Sequence, residues 1–197
     1  MNKERVILGI DPGTVVMGYG VIAVKGKEIR LVAAGVLKLN TETEHYDRLK
    51  KIFDTILQLI EEHIPDEMAI EEPFFGKNVQ SMLKLGRAQG VAIAAALYRQ
   101  IPVFGYSPRR IKQSITGRGA ASKEQVAIML QGLLNFEEQP KFLDATDALG
   151  VAVCHSFQNN IIASKKKSIN PAVKGSKKSY GGWGAFLTDN PDRLKKK

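Results

Sequence analysis

Four carboxylates stand at the ends of apolar runs in this chain: Asp11 in ILGIDPG, Glu71 in MAIEEP, and Asp144 and Asp147 in LDATDALGVAV. An acid at the end of a buried strand is costly without a counter-charge, and several gathered together repel one another unless divalent cations neutralise them. The pattern points to a magnesium site and to chemistry on phosphate. Two divalent ions roughly 3.5 to 4 Å apart can activate a water on one side of a phosphodiester and steady the leaving oxygen on the other. Mg²⁺ prefers carboxylates and keeps several waters, so a few acids from separate elements suffice. Asp11, on the expected central strand, is read as the ligand bridging both ions, with Glu71, Asp144 and Asp147 on the flanks. Glu72 points to the opposite side of its strand by two-residue alternation and is left out of the metal set.

The elements that must position these acids follow from periodicity. Residues 5–11, 16–25 and 28–39 are three β-rich stretches separated by DPGT and KGK, which predicts an antiparallel meander. Gly18 and Gly20 in the second strand suggest another backbone passing close, or a bulge. From Thr41 to Ile64, Leu49, Ile52, Phe53, Ile56, Leu57, Ile60 and Ile64 recur at helical spacing, with a capping-box pattern at Thr41 and Glu44 and a stop at Pro65. A strand over Glu67–Pro73, a helix over Val79–Arg99, a strand over Pro102–Tyr106 and helices from Ser107 onward complete the order, with a break at Gly117 and Gly119. Right-handed crossovers place the fourth and fifth strands parallel to the first in a sheet covered on both faces. Asp11 then lies near Glu71, and a helix from about Leu143 to Phe157 can lay its first turn over the same edge. On that helix Asp144 and Asp147 are three apart and share a face. Alone, the pair reads equally as a cap favouring the helix dipole; Asp11 and Glu71 tip it toward metal.

The 197 residues, 44% hydrophobic and 25% charged, suit one globular domain with a sizeable core. The charged opening MNKERV and the interruption of the first apolar stretch by Asp11, Pro12 and Gly13 do not resemble a signal peptide, and the longest apolar run, Gly90–Leu97, is far too short to span a bilayer. No membrane association and a cytoplasmic location are expected. The single cysteine, Cys154, lies in LGVAVCHSF and reads as core filler, and His45, His63 and His155 lack zinc-site spacing. Net charge is +9, of which +8 falls in residues 158–197. Within the body, nine basic residues and no acid lie between Pro73 and Lys123, which suits a polyanion partner, although a solvated basic face gives the same pattern. Beyond Gln158 the Lys-, Ser- and Gly-rich composition reads as a mobile basic tail, in which Tyr180, Trp183, Phe186 and Leu187 could dock on a partner.

Four blocks, ILGIDPGTVVMGYGVI, AIEEPFFGKNVQSMLKLGRAQGVAI, PRRIKQSITGRGAASKEQV and DATDALGVAV, together resemble the RuvC family of bacterial Holliday junction resolvases across about the first 157 residues. The resemblance implies an α/β, ribonuclease H-like fold: a mixed five-stranded sheet with helices on both faces. It divides the chain into a nuclease domain over residues 1–157 and a basic C-terminal tail over 158–197. It implies an endonuclease acting as a homodimer, using two Mg²⁺ ions per site (Mn²⁺ able to substitute) to resolve four-way junction DNA by paired symmetric nicks in recombination and repair. The family's branch-migration helicase complex of RuvA and RuvB is the implied partner. Its catalytic and metal-binding acids fall on Asp11, Glu71, Asp144 and Asp147; its junction-stacking aromatic falls on Phe74, and basic residues near the scissile phosphate on Lys112 and Lys123, with Lys77 as a further DNA contact. Stacking of an unpaired base contributes roughly 1 to 3 kcal/mol. Phe75 next door leaves open which ring faces DNA. The apolar face of Val79–Tyr98 is a plausible dimer interface, and a helix face buried within a monomer would show the same stripe.

Two other classes compete. Actin-like ATPases and sugar kinases also open with an Asp-x-Gly-Thr turn after a strand, which DPGTVVMGYG fits, but they comprise two duplicated domains of greater length. A catalytically inert DNA-binding module would explain the basic segment and leave four intact acids unexplained.

Overall fold

A computed structural model describes residues 3–40, 44–73, 78–136 and 143–168, together with Thr188; side chains are described as far as residue 158 and at Thr188. The chain forms two compact units, Met1–Ile162 and Ala163–Lys197. In the second, the described residues are the end of one helix and Thr188.

The first unit is built on a five-stranded sheet of order β3-β2-β1-β4-β5, comprising β1 (Arg5–Asp11), β2 (Val16–Lys25), β3 (Glu28–Lys38), β4 (Glu67–Glu71) and β5 (Val103–Tyr106). β1 pairs antiparallel with β2 and parallel with β4, and β4 pairs parallel with β5. The β2–β3 hairpin turns at Gly26, whose φ of 65° suits a residue without a Cβ. The mixed sheet expected from the sequence is therefore present, with β1 at its centre.

Alternation along β1 divides the core. Leu8 and Ile10 face α1 (His45–His63) and α2 (Val79–Tyr98), packing with Ile52, Ile56 and Ile60 of the first helix and Ala88, Ala92 and Ala95 of the second. Ile7, on the other face, joins Ile22, Ala69 and Tyr106 under α3 (Pro108–Thr116), α4 (Lys123–Leu134) and α5 (Leu143–Ser168). Cys154 is buried in that second layer, as its apolar surroundings predicted.

The element ends depart from expectation in instructive ways. α1 begins at His45, with Glu44 at the N-cap making no side-chain cap bond, and Thr41 lies outside the described residues. Ile64, expected on the buried stripe, is 78% exposed in a left-handed C-cap, and Leu59 takes a core place instead. Between α3 and α4 the left-handed Gly117, φ 75°, ends one helix, and a reciprocal Ser122–Gln125 capping box starts the next. α5 runs on past Phe157 to Ser168, because IIASKKKS contains neither Gly nor Pro and its lysines are good helix formers.

Three glycines let α5 lie directly on the sheet. A Cβ on Gly9 would stand 2.2 Å from the Ala148 carbonyl oxygen, one on Gly18 2.0 Å from that of Asp144, and one on Gly20 2.7 Å from the Leu149 side chain. The helix answers with Ala145, Ala148 and Ala152, all buried. Small residues on both surfaces thus set the height of the first turn of α5 above β1 and β2.

Candidate metal centre

Asp11 is the last residue of β1 and pairs across the ladder with Gly18. Glu71 is the last residue of β4. Ile10 and Ile70 are register partners on the parallel side, so Asp11 and Glu71 follow them off the sheet together, both on the α5 face. The end of β4 is fastened on two sides: Gln89 Nε2 of α2 donates to the Glu71 carbonyl at 3.3 Å, and the Glu72 amide donates to the Tyr106 carbonyl at 2.9 Å. Glu72 itself is exposed and points away from the acids, its carboxylate lying beside Gly105. Asp144 sits in the first turn of α5, its backbone carbonyl pressed against Gly18, and Asp147 follows one turn later.

These placements bring carboxylate oxygens of Asp11, Asp144 and Asp147 within 4.8 Å of one another. Glu71 lines the same pocket, of about 230 Å³, with Asp11, Asp147, Lys112 and Lys123. Burial, then the charges of Glu71 and Asp147, push the Asp11 carboxyl up to about 8. Burial and Asp147 likewise raise Glu71 to about 7, opposed by Lys123 and Lys112. Lys123 forms an ion pair with Asp147, and that hydrogen bond holds its ammonium above the ordinary lysine range. The group is over-supplied with negative charge for its burial, and Lys123 and Lys112 offset only part of it. A hard divalent cation with oxygen ligands fits the donor set, because it would relieve the repulsion that now favours protonated acids.

Of the four acids expected from the sequence, Asp11, Glu71 and Asp147 line one pocket with Lys112 and Lys123 on its wall, and Asp144 joins Asp11 and Asp147 in the carboxylate cluster. Phe74, Phe75 and Lys77 lie outside the described residues. Sequence reasoning missed a largely buried network farther along α5. The Tyr106 hydroxyl and His155 Nδ1 are 2.6 Å apart, His155 Nε2 lies 2.9 Å from Glu67, and Arg5 pairs with Glu67 at 3.4 Å. Burial holds the fully enclosed His155 imidazole below its usual range. The network ties α5, which carries two of the acids, to β4 and β5. A lone histidine in an apolar run gives no warning of it, because its partners are 49 and 88 residues away.

The family model for crossover junction endodeoxyribonuclease RuvC matches residues 7–155 of the chain. A crossover junction endodeoxyribonuclease RuvC of Cytophaga hutchinsonii is 59% identical, the match covering 98% of this chain and 89% of the relative. One of Porphyromonas gingivalis is 54% identical over 98% of each. Among solved structures, that of T. thermophilus RuvC in complex with Holliday junction substrate superposes with a TM-score of 0.76 at 35% identity, covering 80% of this chain and 96% of that one.

Proposed function

The chain belongs to the RuvC family of crossover junction endodeoxyribonucleases, and from that premise we propose that it resolves Holliday junctions by paired, symmetric, Mg²⁺-dependent nicks during recombination and repair. The observation that carries the proposal is the convergence of three carboxylates from β1 and α5 beside Glu71. The fold is ribonuclease H-like, as in the related structures.

In this reading Asp11, Glu71, Asp144 and Asp147 hold two Mg²⁺ ions, with Mn²⁺ able to substitute. The ions supply Lewis-acid activation of water and stabilisation of charge developing on the scissile phosphate. The chain's own residues do the rest. The acids fix where hard cations can sit; Lys123 orients Asp147 through their ion pair; and Lys112 and Lys123 place positive charge where a phosphate must approach. Phe74 and Lys77 complete the DNA contacts. We assign the nuclease to residues 1–157 and sequence-independent affinity for DNA to the basic residues 158–197.

Two symmetric nicks need two sites related by a dyad, which a C₂ homodimer supplies. Support comes from α2: Val79, Leu83 and Leu97 are at least half exposed, and with Gly86 and Gly90 they form one stripe opposite the buried alanines. A branch-migration helicase complex of RuvA and RuvB is the proposed partner. No described helix is long and apolar enough to cross a membrane. A protein acting on chromosomal DNA would work in the cytoplasm.

Neither the ATPase reading nor the inert module is favoured, since the family match spans most of the chain and all four acids are present. Incubating the protein with a mobile four-way junction and Mg²⁺ should yield paired nicks. Asp11→Asn should still bind the junction and cut it roughly a thousandfold more slowly, about 4 kcal/mol of lost transition-state stabilisation. Cutting by that variant at the unsubstituted rate would remove Asp11 from the mechanism.

A further inference from the structure

Two things must be fixed for Asp144 and Asp147 to meet Asp11 and Glu71: the height of α5 above the sheet and its position along the strands. Gly9, Gly18 and Gly20, facing Ala145, Ala148 and Ala152, set the height. Contacts between small apolar groups are non-directional, so they hold the helix along its axis only softly. Its polar contacts with α3 and α4 lie at the surface: Arg110 Nη2 donates to Gln158 at 2.8 Å, and Lys123 pairs with Asp147. Directional contact with the sheet comes from His155, fully buried, eight residues and about 12 Å beyond Asp147 along the helix.

The partners of His155 lie on opposite sides of it along the strands. Tyr106 ends β5 and is the register partner of Glu71, while Glu67 begins β4, four residues earlier on the same face. That register separates the two backbones by about 13 Å along the strand direction. The imidazole bridges the span, with the Tyr106 hydroxyl 2.6 Å from Nδ1 and Glu67 2.9 Å from Nε2. A carboxylate only accepts, so Nε2 carries the proton toward Glu67. Burial keeps the ring neutral, which leaves Nδ1 to accept from the Tyr106 hydroxyl. Arg5 anchors Glu67 at 3.4 Å, and the Phe104 ring, its centroid 4.5 Å from that of His155, packs against the imidazole. A shift of α5 toward either end of the strands carries the ring away from one partner, and a bond of 2.6 Å is lost by about 3.6 Å. Tyr106 has a second attachment: its carbonyl accepts the Glu72 amide at 2.9 Å. One residue thus holds the strand end that carries Glu71 through its backbone, and the helix that carries Asp144 and Asp147 through its side chain.

We infer that His155 and Tyr106 are positioning residues for the metal centre, a longitudinal clamp that sets how far Asp144 and Asp147 stand from Asp11 and Glu71. The inference rests on the metal-centre reading above. A packed helix transmits an axial displacement along its length, so movement at His155 arrives at Asp147. Misplacing a reacting group by about 1 Å costs on the order of a hundredfold in rate. Affinity for the junction, which the basic residues supply, is untouched.

The test compares the unsubstituted full chain with Tyr106→Phe, which deletes one oxygen, His155→Leu, which removes both bonds, and His155→Gln, which keeps a donor for Glu67. Ile52→Ala, in the core layer under α1 and α2, is the control for lost stability alone. Mn²⁺ affinity of the DNA-free protein should fall roughly tenfold in His155→Leu, and by less in Tyr106→Phe and His155→Gln. On the junction, kcat should fall between about tenfold and a hundredfold while KM holds. Ile52→Ala should melt lower with Mn²⁺ affinity and kcat unchanged. Losses in Tyr106→Phe and His155→Leu no greater than those in Ile52→Ala would overturn the clamp, and if His155→Leu does not fold, Tyr106→Phe decides. Should the unsubstituted protein take up no Mn²⁺, the metal-centre reading fails instead, and the amide NMR signals of Asp144 and Asp147 in EDTA decide the clamp. Tyr106→Phe should shift them and Ile52→Ala should not; signals that stay in place in Tyr106→Phe would overturn it.

Discussion

The Asp11 carboxyl, pushed up to about 8 by burial and by Glu71 and Asp147, makes the metal-free site a source of instability with a defined sign. In the unfolded chain this group loses its proton near 4, while in the folded protein it keeps it to about 8. Between those values the native state binds more protons than the unfolded one, so stability falls as pH rises through that window. Thermal melts in EDTA should show the melting temperature falling from pH 5 to pH 8, and Asp11→Asn, which mimics the protonated acid, should flatten the trend and melt higher than the unsubstituted protein at pH 8. Mg²⁺ should reverse the order by stabilising only the protein that retains Asp11. A melting temperature insensitive to pH in EDTA would mean that the acids are not in electrostatic contact. Lys123 belongs to the same balance, since its pair with Asp147 supplies the positive charge nearest the acids in the absence of metal.

At the level of elements, the site depends on how closely α5 can approach β1 and β2. Gly18→Ala would place a methyl 2.0 Å from the Asp144 carbonyl oxygen, a backbone atom that cannot rotate away. The substitution should cost about 1–3 kcal/mol and weaken Mn²⁺ binding, because lifting the first turn of α5 carries Asp144 and Asp147 away from Asp11. Gly132→Ala is the control: it lies inside α4 with open space around it and should stabilise by about 0.5–1 kcal/mol. Denaturant titration with a metal-binding isotherm distinguishes the two. These contacts also show what was legible in advance. The apolar periodicity of β1, α1 and α2, the breakers Pro65 and Gly117, the acids that end β1 and β4 and the pair that opens α5 lie within local sequence windows, so the meander, the parallel fourth strand beside β1 and the four acids could be read from them. Gly18 and Gly20 announced a close approach without naming what approaches, since α5 lies more than 120 residues downstream. The Tyr106–His155–Glu67 network was invisible for the same reason: it arises from segments that only tertiary packing brings together.

For the molecule as a whole, the stripe of Val79, Leu83, Gly86, Gly90 and Leu97 is apolar or small, outward-facing and opposite the packed side of α2. Leu83, half exposed, is not used by the core, so Leu83→Glu should leave the monomer folded while shifting sedimentation from dimer to monomer and uncoupling the two nicks. A variant that stays dimeric would move the interface elsewhere. One further property follows from the order in which the acids occur along the polypeptide. Asp11 stands in the first strand and Asp147 in the last described helix, separated by every other strand and helix of the sheet domain. Since chains are made from the amino terminus, a partly synthesised or prematurely terminated product carries Asp11 and Glu71 without their counterparts. A ribosome must pass residue 147 before the four acids can meet, so a product aborted earlier lacks at least one of the carboxylates that would hold metal.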